Sequence, residues 1–196
     1  MADMGCELSL EQVERCDLYV QNLRKWQKHI NLVGPATLSQ VYTRHILDAA
    51  QLINEVPRGT VLDVGSGAGI PGLIWRIFLD NRIYLCERVG KKTSFLKDTI
   101  RKLDIEDNCK VIGTDVADIN QTFDIITARA VTKIDEFLAL TRHCAQKTTL
   151  YILPKGKDYQ SELDAALRNW NFDCRIQSSL VDASSKILFL SGISKR

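Results

Sequence analysis

Three glycines at alternate positions, Gly65, Gly67 and Gly69, lie in the stretch VLDVGSGAGIPGL at 61–73. Loops of this kind bring backbone N–H groups close to a nucleotide or a phosphate. A triphosphate-binding loop requires G-x-x-x-x-G-K-[ST]. Gly67 and Gly72 have that separation, but Leu73 stands where the lysine must be, so nothing there neutralises the phosphates. A dinucleotide fingerprint requires G-x-G-x-x-G. Gly65 and Gly67 fit it, whereas Ile70 holds the third glycine's place. Two carboxylates accompany the loop: Asp63 just before it, and Glu87, 22 positions after Gly65.

A carboxylate at the end of the second strand can accept both hydroxyls of a ribose, which suits Glu87. Asp63 can meet the amino group of an amino acid. A ligand with a ribose, an amino acid and no phosphate satisfies both ends, and S-adenosylmethionine is such a ligand. The bland alternative is a strand–turn–helix whose glycines only permit close packing. The methyl acceptor is narrowed by what the chain lacks. No [DNS]-P-P-[YF] motif follows the fourth strand, as exocyclic amine methylation would require, and no Pro-Cys pair supplies a nucleophile for carbon 5 of a pyrimidine. Guanine N7 carries a free lone pair and no proton. It needs alignment with the methyl and exclusion of water rather than a general base. A chain without an evident acid–base pair is compatible with that chemistry, and no catalytic residue is assigned beyond Arg129 as a candidate.

Basic residues gather near the same edge. Lys91 and Lys92 follow Glu87, Arg129 follows the fourth strand, Lys155 follows the fifth, and Arg44 and His45 lie in the N-terminal region. Together they could bind RNA phosphates. For the lysines, the competing reading is solvated side chains at helix starts. Arg129, directly after a buried strand, needs a partner: a cofactor carboxylate, an Asp or a phosphate. His45 could instead bond Asp48, or Arg44 could pair with Asp48. His29 and His143 have no ligand-spaced partners, so no metal is expected.

These residues must be positioned by an α/β frame. Ser9 and Gln12 fit a capping box, and Leu10, Val13, Cys16, Val20, Leu23 and Ile30 fall largely on one face, predicting a helix over 9–30. A second helix is expected over Leu38–Asn54, closed by Pro57 and Gly59. Strands then alternate with helices: strands at 60–64, 82–86, 109–113, 123–128 and 148–153, helices at 70–79, 91–103, 133–145 and 158–170. Two late strands, 172–180 and 185–192, should form an antiparallel hairpin. The fold class is a doubly wound, Rossmann-like α/β sheet with an N-terminal helical extension over 1–58 and the catalytic domain over 59–196.

With 196 residues, 45% hydrophobic content and a net charge of +2, the chain suits one compact unit and shows no global polyanion-binding charge. Cys6, Cys16, Cys86, Cys109, Cys144 and Cys174 lie far apart without a C-x-x-C pair, which predicts reduced thiols rather than a disulfide frame or zinc site. With no signal peptide and no membrane-length apolar run, a cytoplasmic protein without a membrane contact is expected.

NLVG at 31–34, RHILDA at 44–49, DVGSGAGIPG at 63–72, ERVGKKTSFL at 87–96, ITARAVT at 126–132 and LPKG at 153–156 occur in order. In these segments the chain resembles the glucose-inhibited division protein B family, also called RsmG, bacterial enzymes that make N7-methylguanosine in 16S ribosomal RNA of the small subunit. The resemblance runs from about residue 20 to 191. It implies the class I S-adenosylmethionine-dependent methyltransferase fold, with seven mostly parallel strands and a reversed last hairpin. It implies that the cofactor touches Gly65, Ile70, the backbone near Val116 and Ala117, and Arg129.

The expected cofactor site therefore comprises Asp63, Gly65, Gly67, Gly69, Ile70, Glu87, Val116, Ala117 and Arg129. The expected RNA-facing set is Arg44, His45, Lys91, Lys92, Arg129 and Lys155. A monomer acting on the assembled or nearly assembled small subunit is expected, since so small a chain has little surface for reading bare RNA. A nicotinamide-dependent oxidoreductase and a non-catalytic ribosome-binding protein are the competing readings.

Overall fold

The computed structural model describes residues 8–129 and 131–196; Cys6 lies outside them. Helix α1 spans Leu10–Gln27, with the Ser9–Gln12 capping box formed in both directions. Its buried face carries Cys16, Tyr19, Val20, Asn22 and Leu23. Leu10 and Val13, expected on that face, are exposed. The reason is the length of the neighbouring helix. α1 runs against α4 (Gly90–Leu103), and Arg15 already reaches the carbonyl of Asp104, just past the end of α4.

The single helix expected over Leu38–Asn54 is instead a series of short turns: a 3₁₀ turn at Pro35–Gln40, a π-helical turn at Tyr42–Leu47, α2 at Asp48–Ala50 and a 3₁₀ turn at Ile53–Glu55. Tertiary contacts override the periodicity here. The wide turn holds His45 and Ile46 inward, and His45 is committed to two partners outside its own turn.

From Thr60 the alternation holds closely. The elements are β1 Thr60–Val64, α3 Gly72–Phe78, β2 Arg82–Cys86, α4, β3 Cys109–Ile112, β4 Phe123–Thr127, α5 Ile134–Thr141, β5 Ala145–Lys155, α6 Tyr159–Asn169, β6 Trp170–Ser178 and β7 Lys186–Lys195. The seven-stranded sheet has the order β3-β2-β1-β4-β5-β7-β6. Only β7 runs against the rest, antiparallel to both β5 and β6. β5 is longer than expected because its register against β4 shifts. Phe123 opposes Ala145, but Ile125 opposes Leu150. Thr149 closes the irregularity by donating to the Phe123 carbonyl and accepting from the Gln146 amide.

Neighbouring strand residues enter opposite layers, as a period of two requires. Val61, Ile125, Ile152 and Phe189 pack with α1, α3 and α4. Leu62, Ile126, Tyr151 and Leu188 pack with α5 and α6. The N-terminal helix thus shares a core with one face of the sheet. Cys16, Cys86, Cys109, Cys144 and Cys174 are free thiols, only the last exposed. Among the described residues, no helix is long and apolar enough to cross a membrane.

Candidate cofactor and acceptor site

The carboxyl ends of β1, β2, β4 and β5 form the edge where ligands bind in sheets of this type. After β1 the chain turns through Gly65, Gly67 and Gly69, with φ of +66°, +53° and +79°. At Gly69 a side chain is excluded twice over: by the left-handed backbone and because a Cβ would lie 2.3 Å from Leu73 Cδ1. At Gly65 a Cβ would lie 2.8 Å from Val131 Cγ2. Gly67 is less enclosed: a Cβ there would meet only the Gly65 carbonyl oxygen, at 3.7 Å, and the residue lines a cavity.

Asp63 closes this loop from below. It is fully buried, and its Oδ2 accepts the Gly72 amide at 3.0 Å. Its Oδ1 has no partner, and burial pushes its pKa up to about 7 against the opposing pull of the Gly72 amide and Arg129. A side chain so enclosed presents no surface to a ligand amine; its part here is to hold the loop onto α3. Glu87 is also buried but lines the cavity. Its Oε2 accepts the Gly67 amide at 3.1 Å and its Oε1 the Val89 amide at 2.8 Å. Each carboxylate oxygen retains acceptor capacity beyond those bonds.

Three cavities open along this edge of the sheet. The first, about 250 Å³, lies between Gly65, Glu87, Asp115 and Val116. The second, about 430 Å³, lies beside Gly67, Ile70, His45, Lys92 and Arg129. The third, about 550 Å³, lies beyond β4 and β5, against Asp48, Arg129, Pro154, Lys155 and Lys186. Gly65 separates the first from the second, Arg129 the second from the third, and Val131 borders all three. The loop's backbone, a carboxylate at one side and an apolar floor at Val116 fit an adenosyl group with an amino-acid arm. Ala117 is exposed, and its amide is taken by Asp115 Oδ1 at 3.2 Å.

Arg129 has found protein partners. Its Nη1 lies 3.0 Å from His45 Nδ1 and 3.7 Å from Asp48 Oδ2. A guanidinium can only donate, so His45 Nδ1 is the acceptor and the ring's proton sits on Nε2. That nitrogen lies 2.9 Å from Thr37 Oγ1, which donates to the Gly34 carbonyl. Burial, followed by the charges of Arg129 and Arg44, lowers the His45 pKa to about 4, so the ring is neutral at physiological pH. His45 is therefore a buried support for Arg129, with both ring nitrogens occupied. The pairings weighed from sequence, His45 or Arg44 with Asp48, are not formed; Arg44 is exposed and lies 3.9 Å from Asp182. Lys155 is likewise engaged. Its Nζ donates to the Thr132 carbonyl at 2.7 Å and to Glu162 at 2.8 Å, tying β5 to the segment after β4. Lys91 is exposed and Lys92 half-buried at the second cavity. Among the described residues, no cluster of His, Cys, Asp and Glu could hold a metal ion.

A family model described as rRNA small subunit methyltransferase G matches residues 12–189. The chain belongs to this family. A ribosomal RNA small subunit methyltransferase G of Methylobacterium sp. (strain 4-46) is 39% identical over 201 residues, covering 99% of this chain and 94% of the relative. Its counterpart in Ruegeria sp. (strain TM1040) is 33% identical, covering 98% and 97%. In fold, this methyltransferase is similar to a SAM-dependent methyltransferase from Aquifex aeolicus, with TM-score 0.61, 16% identity and coverage of 85% and 96%. It is also similar to P. horikoshii TYW2 in complex with MeSAdo, with TM-score 0.59, 13% identity and coverage of 81% and 62%. The fold is the class I methyltransferase fold, and the cofactor of the family is S-adenosylmethionine.

Several residues of this methyltransferase's site were not legible beforehand. Val131 sits in a loop and has no polar group to mark it. Thr37 precedes His45 by eight positions and meets it only through the π-helical turn. Tyr19, whose hydroxyl reaches the glycine loop from α1, looks in sequence like one more core aromatic.

Proposed function

We propose that this methyltransferase moves the methyl of S-adenosylmethionine to N7 of a guanine in 16S ribosomal RNA of the small subunit. The observation that carries the reading is the meeting of three cavities at Val131, with Arg129 and Gly65 as the partitions. A sulfonium has three arms. The cavity at Glu87 and Val116 suits the adenosyl arm, that at Gly67, Lys92 and Arg129 the methionyl arm, and the third admits the methyl's acceptor. When bound, the cofactor supplies an electrophilic methyl. Glu87 then accepts from the ribose, and Arg129, fixed by neutral His45, faces the methionyl carboxylate.

N7 attack needs no proton removed, and the acceptor cavity is lined by carboxylates that already have partners, Asp48 with Arg129, Glu136 with Thr132 and Glu162 with Lys155. Its work is alignment and exclusion of water. The transfer carries a positive charge into a cavity whose wall holds the carboxylates of Asp48, Glu136 and Glu162, of opposite sign. The exposed cations Arg44 and Lys91 and the half-exposed Lys92 flank the opening and suit RNA phosphates. We take the substrate to be the RNA within the small subunit, and the enzyme to act there as a cytoplasmic monomer. Incubation with unmodified small subunits and methyl-labelled cofactor should place label on guanine N7. Label on another atom, or none in RNA, overturns the reading. Calorimetry with NAD and S-adenosylhomocysteine separates the oxidoreductase alternative: binding of NAD alone would establish it.

A further inference from the structure

We infer that Tyr19 is a positioning residue of the cofactor loop, so that the N-terminal helix completes the cofactor site; this rests on the cofactor reading above. Tyr19 is fully buried on α1, and its hydroxyl donates to the carbonyl of Ala68 at 2.9 Å, across 49 positions of chain. Ala68 lies between Gly67 and Gly69, both in left-handed backbone. Glycines leave a loop much conformational freedom, and a loop held in its binding shape loses less entropy when a ligand arrives. Three side chains flanking the loop hold it. Asp63 secures the Gly72 end, Glu87 the Gly67 amide, and Tyr19 the carbonyl of the residue between the last two glycines. Burial pushes the Tyr19 pKa upward, so the hydroxyl stays a donor at any working pH.

The helix that carries Tyr19 does not depend on this bond for its place. Asn22 Nδ2 donates to Thr99 Oγ1 at 2.9 Å, and Trp26 Nε1 donates to Asp98 Oδ2 at 2.9 Å, both on α4. The chain leaves Glu87 for α4 within three residues. One rigid helix therefore grips the glycine loop at Tyr19 and the element after Glu87 at Asn22 and Trp26. It fixes the spacing between the two walls of the cofactor cavity.

Tyr19→Phe removes the hydroxyl and keeps the ring. The probe is S-adenosylhomocysteine, measured by calorimetry on the full chain. The expected result is a dissociation constant raised roughly three- to tenfold, the loss of one hydrogen bond. Tyr151→Phe, which removes a buried hydroxyl bonded to Thr141 in the opposite core layer, should lower the thermal midpoint and leave that constant within twofold. An unchanged constant in Tyr19→Phe, or an equal rise in both variants, overturns the inference, since a core aromatic would affect stability alone. In the wild-type chain, S-adenosylhomocysteine should also slow amide exchange in α1 around Tyr19. Exchange unaltered there overturns it independently of any variant's folding. A wild-type chain that fails to bind the probe overturns the cofactor reading and this one with it.

Discussion

His45 and Asp63 are buried ionisable side chains whose pKa values move in opposite directions, and each leaves a signature in the pH dependence of stability. Folding lowers His45 from 6.5 to about 4, so its contribution is full above 6.5 and is lost as pH falls toward 4. Folding raises Asp63 from 3.8 to about 7, so its contribution is full below 3.8 and is lost as pH rises toward 7. The two slopes oppose one another in one window, so in the intact protein each masks part of the other. In Asp63→Asn, which still accepts from the Gly72 amide, urea stability should rise with pH between about 4 and 7. In His45→Asn, which keeps an acceptor for Arg129, it should fall across the same window. His45→Ala removes that acceptor and should weaken S-adenosylhomocysteine binding more than His45→Asn does, as calorimetry would show. The sequence exposed these residues as candidates because polar side chains beside apolar runs stand out. It did not expose their direction. Asp63 was expected to face a ligand amine, and only the enclosure by α3 and the Gly72 amide shows that it faces the loop.

The strands β1 and β2 begin and end where their apolar runs do, because short parallel strands buried on both faces have little choice of boundary. The second segment departs from its helical periodicity because partners outside the turn divide it: Asp182 draws Arg44, while Thr37 and Arg129 hold the two nitrogens of His45. β5 exceeds the expected 148–153 at its start because Ala145, Gln146 and Lys147, which carry no apolar run, join the sheet through a register shift that Thr149 stabilises. The joint between α1 and α4 is polar in a way that hydrophobic patterning cannot show. Asp98 accepts from Trp26 and Lys102, and Lys102 also donates to Asn22. Asp98→Ala leaves the Trp26 indole N–H without its partner and should cost about 1–2 kcal/mol in denaturant titration.

For the molecule as a whole, the proposed cofactor site, with its glycine loop and its walls at Glu87 and Arg129, comes together only on folding. S-adenosylhomocysteine at a hundredfold excess over its dissociation constant should therefore stabilise the protein by about 2.7 kcal/mol, visible as a raised thermal midpoint. Gly67→Arg should abolish that gain, since its side chain would enter the cavity beside the loop and its backbone must hold φ of +53°. The net charge of +2 gave no sign of an RNA partner because the cations are interleaved with carboxylates over the surface. In the proposed reading the signal is the gathering of Arg44, Lys91 and Lys92 at one sheet edge, a matter of topology rather than composition.

The π-helical turn at Tyr42–Leu47 sets a rule about length. Each residue of an ordinary helix turns about 100°, so a segment one residue shorter would swing Thr37 out of alignment with His45, whose ring holds the Arg129 guanidinium. Thr43, exposed in the middle of that turn, should accept replacement by alanine with little effect, whereas its deletion should abolish methylation of small subunits. The count of residues between Gly34 and Asp48 is thus held more tightly than the identity of several of them. In any variant library of this enzyme, insertions and deletions there should be depleted where substitutions persist.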